Sequence, residues 1–123
     1  IELMRYNCNE QTNYQYIVIT LNNNLTTVSR DLLIEILHSE NIIARRYFYP
    51  GCHKMEPYRS FFPHAGLLLP NTEKIAEQVI ILPNGTALQE KDVRKICEVI
   101  KFVINNEFEI GKEWRKHKGV FLK

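Results

Sequence analysis

The stretch VRKICEVIKFVI, residues 93–104, decides the fold that the sequence predicts. Its apolar side chains recur at positions i, i+3, i+4, i+7, i+10 and i+11, which is the spacing of one face of an α-helix. These positions are Val93, Ile96, Cys97, Ile100, Val103 and Ile104. A helix with one apolar face needs an apolar surface to cover, and we expect that surface to be a β-sheet. Cys97 lies in the stripe, so we expect it to be a small buried hydrophobe.

Two apolar runs upstream of this helix predict strands of that sheet. Residues 14–21 (YQYIVITL) are rich in β-branched and aromatic side chains, as strands are. Residues 79–82 (VIIL) form a continuous apolar run that ends at a Pro-Asn-Gly turn, which is typical of a buried strand. A third extended stretch, residues 42–49, stops at Pro50-Gly51. Together these runs predict a small α/β domain with about three strands.

Two shorter helices are predicted between these strands. Ser29 stands at an N-cap position before residues 30–38, whose leucines and isoleucines follow helical spacing. Asn71 or Thr72 can cap a second short helix ahead of the apolar run at 79–82. The stretch between them, residues 53–70, carries three prolines and a glycine. We therefore expect no long element there.

Composition limits the classes of protein that the chain can belong to. Its 123 residues fit one domain, and 16 basic against 14 acidic residues leave a net charge of only +2, which gives no argument for a nucleic-acid partner. No apolar run approaches the ~20 residues that span a bilayer. Three widely spaced cysteines without metal-ligand spacing favour a reduced, cytoplasmic setting and no metal site. Residues 14–110 are expected to form the ordered core, followed by a basic tail at 111–123.

The stretch RRYFYPGCH, residues 45–53, contains the densest functional chemistry. If residues 42–49 form a strand, alternation sends the two arginines to opposite faces. One face would carry Ile42, Ala44, Arg46 and Phe48, and the other Ile43, Arg45, Tyr47 and Tyr49. An arginine beside two tyrosines can hold an oxyanion and pack against a polar ring, but a solvated strand end gives the same pattern. His53 alone fits a site residue or a residue that braces a loop.

Several pieces of the chain, in order, resemble the C-terminal region of the DegT/StrS-type sugar aminotransferases. The pieces are YQYIVI, SRDLLIEILHSENIIARRYFYPGCH and LPNTEKIAEQVIILPNGTALQEKDVRKICEVIKFV, within residues 14–103. The family has an Arg-Arg-Tyr-Phe-Tyr-Pro-like motif followed shortly by a histidine, and later a Thr-Glu-x-x-Ala-Glu helix, which this chain matches at residues 72–77. Where the family has a Leu-Ser-Glu-like cap, this chain has Leu88-Gln89-Glu90. The long helix can therefore take its cap from Thr86 instead.

The resemblance implies a fold, a reaction and an origin for the chain. The fold is α/β (an α+β sandwich), with a small mixed or antiparallel sheet flanked by helices, as in the C-terminal domain of fold-type I aminotransferases. Whole members are homodimers that use pyridoxal phosphate to move an amino group from an amino-acid donor to a nucleotide-linked keto-sugar. A large N-terminal domain holds the cofactor and its Schiff-base lysine. A chain that opens at Ile1 would then be a C-terminal domain, inactive alone and without catalytic residues of its own.

The resemblance also implies which residues face the substrate. The segment near the active-site mouth supplies the substrate-binding candidates, which are Arg45, Arg46, Tyr47, Tyr49 and His53. The chain departs from the family at Gly51-Cys52, where bulkier residues are common, so the shape of this loop stays open. The competing hypothesis is a free-standing small α/β binding or regulatory module that holds an anionic metabolite at the same edge. Neither hypothesis includes a nucleic-acid or membrane partner.

Overall fold

The computed structural model describes residues 1–22 and 24–120, with side chains as far as Lys116. In chain order the elements are β1 (Glu2–Leu3), β2 (Ile17–Thr20), α1 (Arg30–Ser39), β3 (Arg45–Arg46), a 3₁₀ turn (Cys52–Lys54), α2 (Tyr58–Phe61), α3 (Ala65–Leu68), α4 (Pro70–Gln78), β4 (Val79–Leu82), α5 (Glu90–Asn105) and α6 (Glu107–Val120). Among these described residues, no helix combines the length and the apolar character needed to cross a membrane.

The strands form one antiparallel sheet in the order β1-β2-β4-β3. The apolar strand β4 lies inside the sheet, where it pairs with β2 from Ile17 opposite Leu82 to Thr20 opposite Val79. On its other side, Arg45 and Arg46 of β3 pair with Ile81 and Ile80. The predicted fold class is confirmed. The described residues form four strands rather than about three, because Glu2–Leu3 adds an edge strand to β2.

Helix α1 packs on the sheet, and its sequence explains why it forms. Ser29 caps it, and its Oγ atom accepts a hydrogen bond of 3.2 Å from the backbone N–H of Leu32. Leu33 and Leu37 are fully buried in the core. The buried apolar cluster consists of Ile19, Leu21, Val28, Leu32, Leu33, Ile34, Leu37, Ile42, Ala44, Ile80, Ile96 and Val103. The predicted cap and apolar face of this helix are confirmed.

Helix α5 covers the same core through a narrower stripe than the sequence predicts. Ile96 and Val103 are buried, and Val99 and Ile100 pack against the core from its border. Cys97 is exposed, so its predicted burial is wrong. The reason is geometric: a residue next to Ile96 is turned about 100° around the helix, which carries Cys97 past the edge of the buried stripe.

The start of α5 follows Gln89 rather than Thr86. Gln89 is the N-cap residue, and its side chain and that of Asp92 form a capping box. The backbone N–H of Gln89 donates to Asp92 Oδ2 over 2.9 Å. The alternative cap at Thr86 is therefore wrong, and the helix begins at Glu90 as the Leu88-Gln89-Glu90 sequence allows.

Two strands are shorter than the sequence predicts. Of residues 14–21 only Ile17–Thr20 pair, because their partner β4 offers four residues. Of residues 42–49 only Arg45–Arg46 pair. The extended backbone ends soon after Arg46, because Phe48 has a φ of 43°, in the left-handed region that a strand cannot contain.

Helix α6 lies where a basic tail was expected from residue 111. It begins at Glu107, whose Oε2 atom accepts hydrogen bonds from the Thr26 hydroxyl over 2.6 Å and from the Thr27 backbone N–H over 2.9 Å. Ile110 and Trp114 pack against the core cluster. The start of the expected tail is therefore a packed helix, whereas residues 121–123 and the side chains of 117–120 lie outside the described part.

Candidate functional site

A polar cavity of about 300 Å³ lies between the start of α1, the loop after β3 and the first turns of α4. Its lining includes the side chains of Arg30, Asp31, Tyr49, His53, Lys54 and Glu73. These residues come from three separate segments of the chain. Two of the predicted substrate-binding residues, Tyr49 and His53, are among them.

Two arginines share one carboxylate beside this cavity. Asp31 Oδ1 lies 2.9 Å from Nε and 2.8 Å from Nη2 of Arg30, and 2.9 Å from Nε of Arg46. Arg30 also donates through Nη1 to the backbone carbonyl of Ala76, and only 4% of it is exposed. Partial burial raises the pKa of Asp31, but the hydrogen bonds from Arg46 and Arg30 outweigh it and bring that pKa below its ordinary value. Asp31 is therefore a carboxylate that balances both cations.

The ring of Tyr49 lies against both guanidinium groups. Cζ of Arg30 is 4.7 Å from the ring centroid, and Cζ of Arg46 is 5.4 Å from it, both within cation–π range. Strand alternation placed Tyr49 with Arg45, whereas the structure places it with Arg46. The left-handed Phe48 is the cause, since it breaks the alternation between the two residues.

A second polar network, which contains one ion pair, joins the 3₁₀ turn to α4. His53 Nε2 lies 2.5 Å from Glu73 Oε1, and Lys54 Nζ pairs with Glu73 Oε2. The His53 side chain is only 9% exposed. Hydrogen bonds from Lys54 and then from His53 hold the pKa of Glu73 below its ordinary value. Glu73 is thus a carboxylate that fixes the loop to the first turn of α4.

Gly51 makes the close approach of His53 possible. A Cβ atom at this position would lie 2.8 Å from Cε1 and 2.9 Å from Nδ1 of the imidazole ring. Real Cβ atoms do not come so close to other heavy atoms, so any side chain here would displace the ring. The departure from the family pattern at Gly51 therefore has a structural reason in this chain.

An apolar groove of about 700 Å³ adjoins the polar cavity. Its lining includes the side chains of Phe48, Tyr58, Phe62 and Leu69, most of them exposed. Gly51 and His53 belong to the linings of both the groove and the cavity. His53 thus lies at the boundary between a polar and an apolar surface.

Comparison with known proteins identifies the family. Residues 2–101 match the model of the DegT/DnrJ/EryC1/StrS aminotransferase family. The chain belongs to this family. It is 35% identical over 94 residues to a dTDP-4-amino-4,6-dideoxy-D-glucose transaminase of Escherichia coli, an alignment that covers 76% of this chain and 25% of that protein. A crystal structure of DesI in the presence of its TDP-sugar product superposes with a TM-score of 0.82 at 34% identity, covering 93% of this chain and 28% of that one.

The chain spans about a quarter of the length of the two aminotransferases that it matches. The candidate site therefore contains only the residues that this segment contributes. The two pieces of the family pattern that carry the resemblance, the Arg-Arg-Tyr-Phe-Tyr-Pro motif with its histidine and the Thr-Glu-x-x-Ala-Glu helix, meet in space through the contact between His53 and Glu73.

The five predicted substrate-binding residues do not all meet at one place. Arg46, Tyr49 and His53 gather at the polar cavity, either in its lining or through Asp31. Arg45 instead lines a separate cleft with Tyr16 and Ile81. Tyr47 packs edge-on against Tyr16, with ring centroids 5.8 Å apart.

Sequence reasoning missed four of the cavity residues named above: Arg30, Asp31, Lys54 and Glu73. Arg30 and Asp31 directly follow the N-cap serine, in the first turn of α1, where the sequence gives no hint that Arg30 is buried or that Asp31 contacts it. Glu73 is the acidic residue of the Thr-Glu-x-x-Ala-Glu motif, and it is the carboxylate that His53 contacts.

The cavity does not fit the cofactor of the aminotransferase family. A lysine that forms a Schiff base with pyridoxal phosphate must lose its proton, but the hydrogen bond from Lys54 to Glu73 raises the pKa of Lys54. Lys54 is thus held as an ammonium and is unsuited to form the Schiff base. Within the described residues, His, Cys, Asp and Glu form no group that could hold a metal ion.

Proposed function

We propose that this chain is the small C-terminal domain of an aminotransferase that acts on a nucleotide-linked keto-sugar. Family membership supports the reaction class, and the nucleotide sugars named for two relatives, a dTDP-linked amino sugar and a TDP-sugar product, support the substrate class. In this proposal the complete enzyme is a homodimer with an amino-acid donor, and another part of it would hold pyridoxal phosphate, which would supply the chemistry of amino transfer. Cys8, Cys52 and Cys97 are free thiols, which agrees with a cytoplasmic setting.

The observation that carries the proposal is the cluster of Asp31, Arg46 and Tyr49 beside His53. Arg46 uses Nε for Asp31, and within the described residues its terminal nitrogens have no hydrogen-bond partner. Those two nitrogens can receive a phosphate or carboxylate oxygen. The ring of Tyr49 lies against two guanidiniums and stays half exposed, so it can pack on a sugar or a base.

His53 and the outer pair complete the proposed binding surface. His53 can hydrogen-bond a polar ring because it is held at the border of the cavity. Arg45, in a separate cleft, and Tyr47, in the apolar groove, are proposed to contact other parts of the nucleotide. No residue of this chain is proposed to catalyse amino transfer, so the chain alone should be inactive.

The test uses the product of the complete reading frame that contains this chain. A dTDP-linked 4-keto-6-deoxyhexose, the keto form of the sugar that the Escherichia coli relative names, is incubated with an amino-acid donor, and the amino sugar is measured by mass spectrometry. Formation of the amino sugar is expected, with loss of turnover when Tyr49 and His53 are replaced together. A reading frame that starts close to Ile1, or a full-length protein that aminates no keto-sugar, would favour the binding-module alternative.

A further inference from the structure

The imidazole of His53 has two close neighbours, Glu73 and Gly51. Nε2 lies 2.5 Å from Glu73 Oε1. The adjoining edge, formed by Nδ1 and Cε1, packs closely over Gly51, where a Cβ atom would come within 2.9 Å and 2.8 Å of these two atoms. Glu73 therefore engages one nitrogen of the ring, and the other nitrogen lies beside Gly51 at the lining of the polar cavity.

The chemistry of Glu73 decides which nitrogen carries the hydrogen. A carboxylate only accepts hydrogen bonds, and the hydrogen bonds from Lys54 and His53 keep the pKa of Glu73 low, so Nε2 must be the donor. The second oxygen of Glu73 already pairs with the ammonium of Lys54. With its single hydrogen on Nε2, a neutral imidazole keeps a lone pair on Nδ1.

We propose that Glu73 is a positioning residue that fixes His53 with its hydrogen on Nε2, so that Nδ1 accepts a hydrogen bond from a hydroxyl or amino group of the sugar. This inference rests on the proposed function and adds the part of the substrate that His53 recognises. The lone pair on Nδ1 repels a phosphate oxygen and accepts a hydrogen bond from an N–H or O–H group. His53 therefore binds the sugar ring rather than the diphosphate.

Nuclear magnetic resonance of the chain tests the tautomer without any enzyme assay. Long-range ¹H–¹⁵N correlations at about pH 8, where an ordinary imidazole is neutral, distinguish the two tautomers, and His53→Gln assigns the signals. We expect Nε2 to carry the hydrogen in the parent. Glu73→Gln should bring in the other tautomer, because an amide can either donate or accept, and Glu73→Asp should restore the parent tautomer. A hydrogen on Nδ1 in the parent would overturn the proposal.

Two glycine variants test the role assigned to Gly51. Gly51→Ala should push the ring away from Glu73 and change the His53 signals in the same spectra. Gly111→Ala is the matched control, since a Cβ atom at Gly111 meets no atom within 4 Å. If Gly51→Ala leaves the His53 signals as unchanged as Gly111→Ala does, the close approach of His53 to Gly51 has no role in placing the ring.

Kinetics of the complete enzyme separate this inference from the proposed function. Glu73→Gln should lower kcat/KM for the keto-sugar about tenfold and leave the half-reaction with the amino donor unchanged, and Glu73→Asp should recover part of the loss. Glu98→Gln, an exposed position on α5, is the control. Amino transfer with parent-like kinetics for Glu73→Gln overturns the inference alone. An Nε2-bound hydrogen in an enzyme that aminates no sugar overturns the proposed function and, with it, the assignment of the sugar as the group bound to Nδ1.

Discussion

The Oδ1 atom of Asp31 lies 2.9 Å from the Nε atom of Arg46, which ties the first turn of α1 to the edge strand β3. The same oxygen holds the buried guanidinium of Arg30. Removing the carboxylate would leave Arg30 as a buried cation without a balancing charge, which is far more costly than losing a surface ion pair. Asp31 therefore matters to the fold as well as to the candidate site.

The substitution Asp31→Asn should lower the free energy of unfolding by about 1–3 kcal/mol, because Arg30 is buried whereas Asp31 is only partly so. Urea denaturation of the chain measures this loss. Arg94→Gln serves as control, since it breaks an exposed i,i+4 pair with Glu90 and should cost no more than about 0.5 kcal/mol. Equal losses in the two variants would show that the cluster around Asp31 does not support the fold.

Two valines of α5 offer the same substitution in opposite environments. Val103 is fully buried, whereas Val93 is 47% exposed. Val103→Ala should cost about 2 kcal/mol, since it removes two buried methyl groups and leaves a cavity, and Val93→Ala should cost less than about 0.5 kcal/mol because alanine also favours helix. Chemical denaturation of both variants decides whether α5 faces the core as described. A larger loss at Val93 would mean that the helix is rotated.

Acid should destabilise the chain through Asp31, Glu73 and Glu107. The pKa of Glu107 is lowered by hydrogen bonds from the Thr26 hydroxyl and the Thr27 backbone, and it joins the two lowered values described above. A carboxyl whose pKa is lower in the folded state than in the unfolded state stabilises the fold at any pH above its ordinary pKa, which is 4.5 for glutamate. This stabilisation is lost as the pH falls through the pKa of the folded state. Tm should therefore decline below about pH 4.5.

The slope of that decline assigns it to particular residues. Glu107→Gln keeps the size of the side chain but cannot titrate, so the fall in Tm between about pH 5 and pH 3 should become shallower. Glu98→Gln, for which no hydrogen-bond or ion-pair partner is described in the structure, should leave the slope as it is. A parent chain with constant Tm over this range would contradict the lowered pKa values.

Two neighbouring arginines distinguish the cavity from the cleft on the other side of β3. In the complete enzyme, Arg46→Lys should lower kcat/KM for the keto-sugar about tenfold or more, because lysine lacks the planar fork that serves Asp31 and an oxyanion together. Arg45→Lys should cost less, since Arg45 lies in a separate cleft. Steady-state kinetics with the keto-sugar and with the amino donor would show it. Equal losses, or a larger one for Arg45→Lys, would place the oxyanion at the cleft instead.

Local sequence patterns predicted which helices and strands form better than they predicted where each one begins and ends. The helix after Ser29 and the apolar strand Val79–Leu82 follow from spacing and composition over a few residues. Strand length could not be predicted in the same way, since it depends on how many residues the partner strand offers. The face of the strand on which Tyr49 lies depends on the left-handed backbone conformation of Phe48. Phenylalanine rarely adopts this conformation, so the sequence does not predict it.

In the candidate site, too, residues close together in the sequence were predicted and their distant partners were not. Its residues in the stretch 45–53 were predicted because they are contiguous, and three of the five gather at one cavity. Their partners Asp31 and Glu73 stand 15 positions before Arg46 and 20 positions after His53. Such pairs depend on how the antiparallel sheet brings distant segments together. The periodicity of a single segment does not predict this arrangement.

The two-residue strands at the rims of the sheet have a consequence for the behaviour of the chain at high concentration. Within the described residues, β1 and β3 are the outer strands, and both are exposed. A longer bare rim would offer a row of unpaired N–H and C=O groups to another molecule. Here β3 is only two residues long and consists of two arginines, one of them paired with Asp31, so a strand of another molecule finds only a very short edge to pair with. We therefore expect the short span and charged side chains of β3 to disfavour edge-to-edge association of the sheet.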